Sequence, residues 1–294
     1  MARPELSRHA AVWLALLLNG CSGPPALAPG AGTIAAATPV AASAATGTQR
    51  AAPAAVVAAL APSGRLRAAI NFGNPILAMR DPSDRSPRGV SVDLSVELAR
   101  RLGVPVDWVT YDAAGRVVGG LKDGAWDVGF LAIDPVRAGD ISYSPPYVVI
   151  EGAYLVAQGS PIRANGDVDQ DGIRVVVGSG SAYDLYLSRE LRHATLVRAA
   201  TSQAVTDTML AQRFEVAAGV KQQLESDAQR VPGVRLLEGR FMVINQAIGI
   251  PKGREAGAGF LRDFVEDMKA SGFVARALQR HRIEGARVAP ADAP

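Results

Sequence analysis

The 294-residue chain contains one cysteine and three histidines. A single cysteine excludes an intramolecular disulfide and a thiolate metal cluster. His9, His193 and His281 are far apart, and the last two lie in charged stretches (RELRH and QRHR). They give no metal-ligand spacing. Charge of one sign is not concentrated: 31 basic and 28 acidic side chains, net +3, are spread along the chain. That excludes the basic stripe a nucleic-acid surface needs. GSGSAYD at 178–184 lacks the terminal Gly-Lys-Ser/Thr of a nucleotide loop, and there is no nucleophile elbow or Ser-His-Asp order. No catalytic set, cofactor or metal is therefore expected. Long apolar runs are missing too. Ala11–Leu18 (AVWLALLL) is too short to span a bilayer, and later apolar stretches are broken by Gly, Pro or charge.

What is present begins with Arg3 and Arg8, then that short apolar run, then Leu18-Asn19-Gly20-Cys21. This resembles a bacterial lipoprotein signal, in which cleavage precedes a cysteine that becomes lipidated. Residues 1–21 are read as the signal and Cys21 as the lipidation site. An ordinary signal peptide with an incidental cysteine is the alternative; both imply export. The expected location is the periplasm or the outer face of a membrane, with membrane contact through the lipid alone. Residues 22–62 are rich in Ala, Pro, Gly, Thr and Ser with one charge at Arg50, and read as a flexible tether.

From Gly64 onward, apolar strand-like runs alternate with helical patterns, which implies parallel pairing and an α/β fold. At 48% hydrophobic residues the chain can bury a large core. Two extended apolar segments, Tyr147–Val156 and Phe241–Ile250, bracket one α/β block. The chain thus leaves a first lobe, builds a second and returns. The expected lobes are 63–152 with 248–284, and 153–247, with 285–294 as a disordered tail. A cleft between hinged lobes is where a ligand binds.

The segment Gly120–Tyr147 carries the main chemical signal. A helix ends at a glycine, a buried strand Asp127–Ala132 follows, and Asp134-Pro135 is expected to open a helix with Arg137 in its first turn. A cation beside a positive helix end is locally unfavourable. An anionic ligand there would meet both the guanidinium and free N–H groups. The alternative is simple pairing of Arg137 with Asp140.

RLRAAINFGNPILA, RGVSVDLSVELARRLGVPVDWV, LKDGAWDVGFLAIDPVRAGDISYSPPY and IRVVVGSGSAYD resemble, in that order, segments of the bacterial family-3 extracellular solute-binding proteins. These are the polar-amino-acid receptors of ATP-binding-cassette importers. The resemblance spans about Gly64 to Glu284. It implies a two-lobed, type II periplasmic-binding-protein fold. It also implies a monomeric, non-enzymatic receptor that captures a small carboxylate-bearing solute and delivers it to a permease. Arg137 stands where the family clamps an α-carboxylate, and Gly180-Ser181 matches its lobe-two loop. Phe130 and Ala132 stand where hydroxyls are frequent. Near Val220, the family's ammonium-binding aspartate is missing. Either Glu151 in the first crossover substitutes, or the ligand is not an α-amino acid; Lys221 points toward a more anionic one. Phe72 and Tyr183 are candidate walls and Asn74 a candidate hydrogen-bonding group, although packing or turn roles suit these three as well, and Phe130 is a candidate ligand contact by its matching position. Asn245-Gln246 are candidate hinge-side contacts. Two rival functions remain: a cyclohexadienyl dehydratase-like enzyme using Glu151 as acid/base, and a ligand-presenting sensor component.

Overall fold

The computed structural model describes residues 51–292. Cys21, the signal and most of the expected tether lie outside that range. The described chain opens with a helix, α1 (Ala54–Leu60). A βαβ series follows: β1 (Leu66–Asn71), a small hairpin of β2 (Met79–Arg80) and β3 (Pro87–Arg88), α2 (Val90–Leu102), β4 (Val106–Tyr111), α3 (Ala114–Lys122) and β5 (Val128–Ala132). After β6 (Ile141–Tyr143), the long strand β7 (Val148–Ala157) crosses into a second series. That series is β8 (Arg174–Gly178), α4 (Ala182–Glu190), β9 (Thr195–Ala199), α5 (Val205–Gln212), β10 (Val216–Val220), α6 (Lys221–Arg230) and β11 (Val234–Leu236). The chain returns through β12 (Met242–Pro251) to α7 (Glu255–Ala270), α8 (Phe273–Arg280) and β13 (Arg287–Val288).

The main sheet runs in the order β4-β1-β5-β12-β7-β10-β8-β9. β1 pairs in parallel with both β4 and β5, and β8 with both β9 and β10. The two long strands pair antiparallel with each other, from Met242 opposite Gly152 to Gln246 opposite Val148. One lobe is thus built on β1, β4 and β5, the other on β8, β9 and β10, and β7 and β12 join them. β5 and β10 are buried along their whole length, as strands covered on both faces require.

Several local expectations change in the fold. α2 starts behind Gly89, with no side-chain cap. Asp93 lies in its first turn and binds Arg280 and His281, at 2.7 and 2.9 Å. Residues 54–60, expected in the tether, form α1, with Val56 and Leu60 buried. The region expected as a disordered tail includes β13, which pairs with β7, and the buried Ala289. No helix among the described residues is long and apolar enough to cross a membrane.

Candidate functional site

Binding sites in open α/β sheets form beyond the carboxyl ends of the strands. Here those ends converge from both lobes. Asn71 closes β1, Ala132 closes β5 and Val220 closes β10, while Ser181 follows the loop after β8. All four line one cavity of about 30 Å³, joined by Asn74, Arg137, Tyr183 and Ser202 and by Ile244 and Gln246 of β12. A cavity of this size admits roughly two water molecules. Anything larger requires the lobes to part.

Arg137 is placed by a local device. The Asp134 carboxylate accepts the Val136 N–H at 2.9 Å, and the Asp134 carbonyl accepts Ala138 N–H at 2.9 Å. The result is a single 3-10 turn, Arg137–Gly139, not the helix expected from Asp134-Pro135. A turn this short has no macrodipole to offer, so the side chain itself carries the electrostatics. Arg137 is 4% exposed. Its Nη1 donates to the Ala132 carbonyl in its own lobe (2.9 Å) and Nη2 to the Gly180 carbonyl across the cleft (2.7 Å). Nε has no hydrogen-bond partner, and neither does the hydroxyl of the neighbouring Tyr143. Burial pulls the guanidinium pKa down, opposed by Tyr143 and Asp134, yet arginine stays charged. Burial likewise pushes Tyr143 up to about 12, so its hydroxyl stays neutral. Asp140 does not pair with Arg137, and Asp134 is taken by Arg189 of α4 at 2.9 Å. Among the described residues Arg137 has no carboxylate within ion-pair distance. Its hydrogen-bond partners are carbonyls, with Asp134 and Tyr143 favouring the charge from nearby, and a guanidinium so placed has donor capacity for an anion.

The lobe-two side is partly spoken for. Ser181 caps α4, its Oγ accepting Asp184 N–H at 3.0 Å, which leaves the hydroxyl proton to donate elsewhere. The Gly180 N–H goes to the Asp184 carboxylate (2.8 Å) and the Ser181 N–H to the Gly178 carbonyl (3.0 Å). These two backbone donors are thus used inside lobe two and are not available to a ligand. Gly180 has φ +67°, and a Cβ on it would lie 2.7 Å from the Gly115 Cα of α3. The lobes touch at this glycine. A second bridge runs from Gln203 Nε2 to the Phe72 carbonyl (2.7 Å).

Other sequence candidates separate clearly. Asn74 and Tyr183 line the cavity; the Asn74 Oδ1 is buried without a partner, and burial raises the Tyr183 pKa. Phe130 does not line it. Its ring packs into the core edge-on to Tyr147, at 6.1 Å between centroids. Phe72 is also buried and stacked under the Arg80 guanidinium, contributing its carbonyl rather than a wall. Glu151 is outside the cavity, paired with Arg240 at 2.7 Å and with Lys221 and Arg287 at 3.6 Å. Its hydrogen bond with Arg240 leads the effects holding its pKa below the usual range. It is neither a free partner for an ammonium nor a poised acid. The same ion pair uses up Lys221. Asn71, Ser202 and Ile244 were missed by motif reading; the strand-end rule alone would have found Asn71.

The family model for the bacterial extracellular solute-binding proteins, family 3, matches residues 66–282. The chain belongs to this family. Similar solved structures place this family-3 protein among type II periplasmic binding folds. One is a putative binding component of an ABC transporter from Wolinella succinogenes, complexed with lysine. It has 20% identity and a TM-score of 0.64, covering 74% of this chain and 95% of that one. Another is the solute receptor for L-cysteine of Neisseria gonorrhoeae, at 20% identity and TM-score 0.67, covering 76% and 92%. A third is an ancestral amino acid-binding protein, a precursor of cyclohexadienyl dehydratase, at 19% and 0.64, covering 74% and 96%. No curated protein sequence matches the chain.

Proposed function

We propose that this family-3 binding protein is an extracytoplasmic receptor that captures a small carboxylate-bearing solute in the inter-lobe cleft and delivers it to an ATP-binding-cassette permease. The observation that carries the reading is Arg137, a buried guanidinium with carbonyl partners and no acid. Nη1 is anchored on Ala132, Nε is unpartnered, and the Nη2 bond to Gly180 breaks when the lobes separate. A carboxylate entering the open cleft would accept from the donors thus freed. The family itself supports a location outside the cytoplasm, and tethering through Cys21 belongs to the same reading. The dehydratase-like alternative required an acid in the cleft; Glu151, its candidate, is held by three cations outside it.

The test begins with a thermal-shift screen over amino acids, dicarboxylates and aromatic acids, since a bound ligand raises apparent stability. Calorimetry on the best hit then compares wild type with Arg137→Ala and Arg137→Lys. Truncating one partner of a desolvated charge pair costs about 2 kcal/mol or more, so Arg137→Ala should bind at least roughly 30-fold more weakly. Arg137→Lys should recover only part of the loss. Wild-type affinity in a folded Arg137→Ala protein would move the site away from Arg137.

A further inference from the structure

We infer that the cleft selects a carboxylate whose neighbouring substituent is an uncharged oxygen, as in a 2-hydroxy or 2-oxo acid, and rejects the matching α-amino acid. This rests on the receptor reading above and narrows its ligand class.

The charge inventory of the cavity decides it. Its wall holds one cation, Arg137, and no carboxylate. The acids flanking it, Asp112, Asp134, Asp184 and Glu151, are all paired, Asp112 with Arg80 at 3.3 Å. Asp134 accepts from Arg189 and the Val136 N–H. Asp184 accepts from Arg198 and the Gly180 N–H. Glu151 is locked to Arg240, Lys221 and Arg287 in the crossover. A carboxylate on Arg137 brings the wall to neutrality. A zwitterion seated the same way adds a buried ammonium with no counter-charge, beside a guanidinium.

The neutral polar groups of the wall suit an oxygen substituent. The Asn74 Oδ1 is buried with no partner and can accept a ligand hydroxyl. Ser181 Oγ accepts from Asp184 N–H and keeps its own proton as a donor, which a ligand oxo or carboxylate oxygen can take in competition with the neighbouring Tyr183 hydroxyl. A hydroxyl or carbonyl is satisfied by one such bond. An ammonium brings three donors and a charge; the neutral oxygens of the wall, on Asn74 and Gln246 among others, can accept from the donors but supply no counter-charge.

The experiment is calorimetry on the full chain with matched sets sharing a side chain: leucine, 2-hydroxy-4-methylpentanoate and 4-methyl-2-oxopentanoate; phenylalanine, phenyllactate and phenylpyruvate; glutamate, 2-hydroxyglutarate and 2-oxoglutarate. In each set that binds, the hydroxy or oxo acid should bind at least roughly 30-fold tighter than the amino acid, the effect expected for an unpaired desolvated charge. Val220→Asp places an acid in the wall at the end of β10 and should reverse that order. Gln246→Glu does the same from β12 if Val220→Asp fails to fold by circular dichroism. An amino acid bound as tightly as its hydroxy and oxo counterparts overturns the inference and leaves the carboxylate receptor standing. No binding in any set, or binding indifferent to Arg137→Ala, overturns the receptor reading and this inference with it.

Discussion

At the scale of single residues, the site depends on how closely two backbones approach. Gly180 has φ +67°, and a Cβ there would meet the Gly115 Cα at 2.7 Å. Gly103, at φ +70°, has nothing within 4 Å of its would-be Cβ. Alanine at either position pays a left-handed backbone penalty of about 1–2 kcal/mol. Only Gly180→Ala also props the lobes apart. The two variants should melt at similarly lowered temperatures, while ligand affinity falls only in Gly180→Ala; equal affinities would mean that this contact does not limit closure. Arg137 was legible because its context, a buried strand followed by Asp-Pro, is local. Glu151 was misjudged because its neutralising partners Arg240 and Arg287 are distant in sequence and arrive only through tertiary folding.

At the scale of elements, the runs that became β5, β7 and β12 were readable from their apolar residues, and their boundaries fell within one residue. Two short elements were not. α1 is alanine-rich, and its only apolar stripe is Val56 and Leu60 at i, i+4. It is ordered by what it packs on. Leu60 is fully buried against α7, where a Cβ on Gly257 would lie 2.7 Å from the Leu60 side chain. Leu60→Ala should therefore destabilise the protein by about 2–5 kcal/mol, as other buried leucine truncations do. Chemical denaturation measures it, and a change under about 0.5 kcal/mol, the range of surface substitutions, would restore the tether reading for this stretch. β13 is two residues long; it exists because β7 offers an open pairing edge at Val148 and Val149. Alanine's helix propensity permits α1 but could not show that it packs, and two residues are too few to carry a strand periodicity.

At the scale of the whole molecule, hydrogen bonds among the described residues bridge the lobes from Arg137 to Gly180, Gln203 to Phe72 and Arg189 to Asp134. The last leaves Asp134 buried while Arg189 is partly in solvent, so Arg189→Ala should weaken the closed state by about 1–2 kcal/mol, less than a fully buried pair would lose. Small-angle scattering should show a larger radius of gyration for Arg189→Ala than for wild type, with saturating ligand restoring compaction because it favours the closed state by differential affinity. An identical radius in both proteins, with and without ligand, would argue that the lobes do not hinge. The sequence by itself determined the α/β alternation, the two bracketing crossovers and the position of the anion-seeking arginine, because each is written in neighbouring residues and short periodicities. Only the tertiary structure decided which acids were free to face that arginine. Charge balance in a cleft is a sum over groups from both lobes, and no local pattern in the chain contains that sum.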